Sequence, residues 1–149
     1  MTAPAQAHAI IDLKGKDAIA GATSPMTLEV QHGCIDGAQG TMQVQAMTAK
    51  TWRSVIPKQV AGWNSSISKQ ANGGSKITWI KQGAPAPFDI PVYFPLIVSW
   101  PTKAGVYGMS VRQICPSTST LWNEPFTPAT ADKPSPPITP LAQVQVKVS

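Results

Sequence analysis

The sequence predicts an all-β sandwich in a single domain, and three observations predict it. Several short segments alternate apolar and polar residues with a period of two, the pattern of strands that bury one face. The 15 Pro and 11 Gly are spread along the 149 residues instead of forming one tail, which suits many strands joined by tight turns. No stretch carries a helical period long enough to form a helix. A chain of this length fits one domain and buries enough apolar surface to fold alone. Its composition agrees: 42% of residues are hydrophobic and only 13% charged, against about 25% charged in an ordinary domain. That balance argues against disorder and against a long solvated helix.

Taken in order, strands are expected at 8–13, 26–31 (Met-Thr-Leu-Glu-Val-Gln), 41–47 (Thr-Met-Gln-Val-Gln-Ala-Met), 52–56, 76–81, 92–100, 106–115 and 142–148. Turn clusters separate them, among them Ala71-Asn72-Gly73-Gly74-Ser75 and Gln82-Gly83-Ala84-Pro85-Ala86-Pro87. Pro91 and Pro95 each remove a ladder donor, so the run over 92–100 is expected to be an edge or bulged strand. Residues 127–140, with Lys133-Pro134-Ser135-Pro136-Pro137, read as an extended loop before the last strand.

The net charge is +5, but the 12 basic residues lie singly, from Lys14 and Lys16 to Lys133 and Lys147. With no basic cluster and no binding motif, this charge serves solubility and nucleic acid is not an expected partner. No stretch reaches the roughly 18 apolar residues of a membrane-spanning helix. Ala5-Gln6-Ala7 before His8 reads as the small-x-small end of a secretory signal whose charged and apolar parts are missing. Residues 1–7 are therefore read as the remnant of a leader, or as a tail, and 8–149 as the domain.

An exported chain keeps disulfides, and this one has two cysteines, Cys34 and Cys115, each beside turn-forming residues. The expectation is one bridge joining strand ends, with Cα atoms within about 7 Å. Closing a loop of that span stabilises by roughly 4 to 5 kcal/mol in the chain-entropy model, as an upper figure.

Ordinary catalytic chemistry has little to stand on. There are two histidines, His8 and His32, and seven scattered carboxylates. No Gly-x-Ser-x-Gly elbow, phosphate-cradling loop, His-Glu-x-x-His or paired-cysteine zinc spacing occurs. The four single methionines Met26, Met42, Met47 and Met109 lie in strands and are expected to fill gaps in the core rather than to ligate a soft metal.

A series of short motifs in fixed order carries a resemblance. They are His8 after Ala-x-Ala, His32-Gly33-Cys34, Ala61-Gly62-Trp63, Lys76-Ile77-Thr78-Trp79, the aromatic and Pro-rich run from Phe88 to Trp100, Gln113-Ile114-Cys115, and Leu121-Trp122-Asn123-Glu124-Pro125. In this order and spacing the chain resembles the YcnI-like copper-binding family over most of its length. The resemblance implies an exported immunoglobulin-like or cupredoxin-like β-sandwich that handles periplasmic copper as a carrier or buffer, without catalysis. It implies Cu(II) held by the amine and imidazole of a mature N-terminal His8, a nearby carboxylate, and Trp122 over the site. An N-terminal histidine offers two nitrogens in one chelate, which suits Cu(II). The carboxylate maps to Asp89, the only one in Phe88-Asp89-Ile90-Pro91-Val92-Tyr93, with Glu124 as the alternative.

Each residue also has a plainer reading. His8 is then a tail residue, His32 a turn histidine, Asp89 an exposed loop carboxylate and Trp122 core packing like Trp63, Trp79 and Trp100. On that reading the chain is a structural or protein-interaction sandwich without metal. A copper oxygenase would need a second histidine beside His8, and only His32 is available.

Overall fold

The structure is a computed structural model, and it describes residues 9–125 and 138–149. Eleven strands form: β1 (Ala9–Asp12), β2 (Ala18–Ile19), β3 (Thr23–Val30), β4 (Gln43–Thr48), β5 (Ser54–Pro57), β6 (Trp63–Lys69), β7 (Ser75–Lys81), β8 (Val92–Ser99), β9 (Gly105–Ile114), β10 (Ser119–Trp122) and β11 (Ala142–Lys147). A single 3-10 turn at Asp36–Ala38 interrupts this all-β order among the described residues.

The strands make two layers. One sheet has four strands in the order β1-β3-β8-β5; the other has seven, ordered β2-β11-β9-β4-β7-β6, with β10 also paired to β9. Pairing is antiparallel except where β2 lies parallel to β11. The period-two pattern holds in the pairs that build the core. β3 turns Met26, Leu28 and Val30 inward and β8 turns Phe94, Leu96 and Val98 inward. Val44 and Ala46, Ile77 and Trp79, and Met109 and Val111 meet them from the opposite sheet.

All five tryptophans are buried, so Trp63, Trp79 and Trp100 are packing residues as expected. Trp63 meets Phe94 edge-on at 5.0 Å and Trp79 lies over the same ring at 4.6 Å. Trp52 packs on Trp100 at 5.6 Å, and the Trp100 indole donates to Ser24 Oγ at 2.6 Å. The methionines divide: Met26 and Met109 are core residues, whereas Met42 is 41% exposed. Met42 directly precedes β4, where the inward alternation begins at Val44, so it does not fill a core gap as expected.

The expected edge strand over 92–100 is not at an edge. β8 pairs with β3 along all eight residues and with β5 on its other side. Pro95 is accommodated because its carbonyl accepts from Lys58 N–H on the β5 side, so its nitrogen points to that side too. β5 has already ended at Pro57, so the missing donor falls just past the end of that strand.

Cys34 and Cys115 are bonded, with Cα atoms 6.3 Å apart across 81 positions. Cys34 follows β3 and Cys115 follows β9, so the bridge ties one sheet to the other at one end of the sandwich.

Candidate functional site

That end of the sandwich also carries the residues that the sequence singles out. β1 begins at Ala9, which is buried and paired with Val30. The chain therefore joins the four-stranded sheet beside the segment that leaves β3 as Gln31-His32-Gly33-Cys34. His8 itself lies outside the described residues, as do 1–7 and 126–137.

Three rings gather here. His32 is half-buried, stacks on Phe88 at 5.1 Å with the planes 20° apart, and meets Trp122 at 6.4 Å. His32 Nδ1 lies 2.6 Å from the Gly33 carbonyl oxygen. A carbonyl only accepts, so Nδ1 is the donor, and in the neutral ring the lone pair is on Nε2.

The loop is held by backbone contacts that only glycine permits. Gly33 N–H donates to the Phe88 carbonyl at 2.7 Å and Cys34 N–H to that of Gln39 at 2.9 Å. A Cβ at Gly33 would lie 1.9 Å from the Gln39 carbonyl oxygen and 2.8 Å from the Phe88 ring. Glycine between histidine and cysteine is therefore a packing requirement of this end.

A buried amide joins the rings to the core. Gln113 is fully buried; its Nε2 donates to the His32 carbonyl at 2.5 Å and to Thr41 Oγ1 at 2.7 Å. Its Oε1 accepts from Trp122 Nε1 at 3.1 Å. One side chain thus fixes both the histidine backbone and the indole.

With the two sheets, their order and the bridging disulfide described, the chain can be set beside known proteins. A protein from Nocardia farcinica with an immunoglobulin-like fold superposes at a TM-score of 0.72, with 17% identity over 93% of this chain and 97% of its own. The fold is immunoglobulin-like. A cohesin module from a Clostridium perfringens family 33 glycoside hydrolase superposes at 0.57, with 10% identity over 96% and 98% of the two chains. At these identities the likeness is one of fold alone. No family profile and no curated protein matches the chain.

On this immunoglobulin-like frame the sequence-derived candidates separate. Trp122 closes β10, is 1% exposed, and lies beside His32 at the end where β1 begins. It is core packing and a wall of this end at once. Asp89 is exposed on the turn directly after Phe88, one residue from the ring that stacks on His32. Glu124, the alternative carboxylate, is engaged with residues 139 and 141. Its side chain accepts from the Thr139 hydroxyl, and its backbone pairs with residues 139 and 141. Among the described residues no three His, Cys, Asp or Glu side chains converge as a metal-binding group.

Sequence reasoning gave no separate role to Phe88 or Gln113. Gln113 carried a signal, because it occupies the inward phase of β9 with Met109 and Val111. Phe88 carried none, since its stacking follows from a loop-to-loop hydrogen bond.

Proposed function

We propose that this immunoglobulin-like domain is an exported copper-binding protein, a carrier or buffer that holds Cu(II) where β1 begins. On this reading His8 is the mature N-terminal residue and supplies its amine and imidazole. Trp122 walls the site, and Asp89 is the carboxylate within the adjoining turn. The observation that carries the reading is the pairing of Ala9 with Val30. It brings the chain immediately after His8 to the segment whose histidine stacks on Phe88 and abuts Trp122.

The donor chemistry at this end fits the ion. Cu(II) favours imidazole and amine nitrogen, and the neutral His32 ring, with Nδ1 donating to the Gly33 carbonyl, has its lone pair on Nε2. When bound, the ion supplies a centre for nitrogen and oxygen donors; the residues' own work is to orient those donors and limit water. Gln113 sets the position of Trp122, and the loop hydrogen bonds set that of Phe88. A buried disulfide also suits an oxidising compartment.

Isothermal titration of the chain beginning at His8 with Cu(II) tests the proposal. One equivalent should bind, and His8→Ala in the same form should lose it. Equal binding by both would place the metal elsewhere. Absence of binding in both would remove the metal reading and leave a metal-free structural or interaction module.

A further inference from the structure

We propose that the free edge of β6 accepts an extended acidic segment of a partner protein as an added strand, with an apolar side chain of that segment seated on Ile67. The four-stranded sheet ends at β5, on the side opposite β1, and the seven-stranded sheet ends at β6. The surface is therefore separate from the β1 end, and the proposal does not depend on copper.

Three observations carry it. The first is an open ladder. Gln70 N–H donates to the Gly74 carbonyl at 2.7 Å and Gln82 N–H to that of Gly62 at 2.9 Å, at the two ends of the β6–β7 register. Bonded positions alternate in an antiparallel pair, so Asn64, Ser66 and Ser68 exchange bonds with β7, while Ser65, Ile67 and Lys69 turn N–H and C=O to the open side. No other described strand pairs there, and such a row is a template for a further strand. The second is a seat for a side chain. Ile67 shares the inward face of its partner Ile77, yet it is 49% exposed, because the facing sheet stops at β5. With Val55 and the exposed Ile56 of β5 it lines an open groove of about 320 Å³. The third is charge. No Asp or Glu occurs between Asp36 and Asp89, the stretch that supplies β4 to β7, whereas Lys50, Arg53, Lys58, Lys69, Lys76 and Lys81 all do. Among the described residues none of these six is ion-paired, and Arg53 and Lys69 border the groove itself. A lysine on an edge discourages pairing with a second copy, whose own edge is equally cationic. It favours an acidic segment, which brings the complementary charge.

The test adds a short peptide alternating Glu with Val to the full isotope-labelled chain and follows amide exchange by NMR, with a peptide alternating Lys with Val as control. At millimolar Glu-Val peptide, exchange at Ser65, Ile67 and Lys69 should slow about tenfold or more as their N–H groups gain partners, and the Lys-Val peptide should give no protection. Ile67→Pro removes one outward donor and leaves the β7 ladder intact, a change that an edge strand tolerates. It should fold and lose the protection at Ser65 and Lys69. Lys69→Glu should weaken affinity about tenfold, and it carries the test alone if thermal unfolding shows that Ile67→Pro does not fold. Absence of protection with the Glu-Val peptide, equal protection by both peptides, or unchanged binding in the folded variants overturns the proposal. A dimer of the chain alone in sedimentation, dissociated by Lys69→Glu or Ile67→Pro, would assign the edge to a second copy and overturn it as well.

Discussion

Gln113 shows how much one polar side chain can settle. It is fully buried, yet both ends of its amide are used: donors on His32 O and Thr41 Oγ1, an acceptor for Trp122 Nε1. Leucine has a similar volume and no hydrogen-bonding capacity. Gln113→Leu should therefore remove the hydrogen bonds to the indole N–H, the His32 carbonyl and the Thr41 hydroxyl and lower stability by about 2 to 3 kcal/mol, read from urea unfolding. A loss under about 0.5 kcal/mol would mean that these groups find other partners. Gly33→Ala should cost about 1 to 3 kcal/mol through the clash with Gln39 and Phe88, with a changed tryptophan emission as Trp122 loses its setting. Gln113 was legible in principle, since an inward strand position occupied by glutamine signals a buried polar network. His32 was visible in the sequence only as a histidine beside a turn; its tautomer and neighbours depend on the folded loop and on rings brought in from distant parts of the chain.

At the scale of the element, the longer strands that bury one face were legible, whereas the exposed edge strand β6 and the short strands β2 and β10 were missed. β6 runs Trp63–Lys69 with only Trp63 buried; it borders the sheet and is held by its seven-residue pairing to β7. Nothing in Asn-Ser-Ser-Ile-Ser alternates, because neither face is covered. β2 and β10 are short, and they exist through their pairing to β11 and β9. β8 failed differently. Two prolines suggested an edge, whereas what matters is which neighbour each proline nitrogen faces. Pro95 faces the end of β5, and the alternation gives Ile97 the same side within the paired stretch, opposite Ile56. Moving the proline should then be costly: Ile97→Pro breaks a ladder bond in mid-strand and should lower the unfolding midpoint sharply. Pro95→Val should leave it nearly unchanged. Equal effects of the two substitutions would contradict this account of β8.

The whole molecule depends on keeping two sheets together, and the disulfide does this at the end that carries the rings. Its bridge spans 81 positions, so replacing both cysteines by serine should reduce stability by up to about 4.5 kcal/mol. Native-state hydrogen exchange should show the loss first in the segment from His32 to Gln39, which the bridge anchors. Two-layer architecture was legible because it rests on a pattern of many residues, and the bridge because the chain has just two cysteines, each beside turn-forming residues. The proposed function rests instead on His8 and its amine. The most direct measurement is therefore the Cu(II) affinity of the chain from Met1 compared with that of the chain beginning at His8, under identical conditions. The account predicts strong binding only in the second, because in the first the nitrogen of His8 is an amide and the chelate loses one donor. Equal affinity in both forms would contradict it.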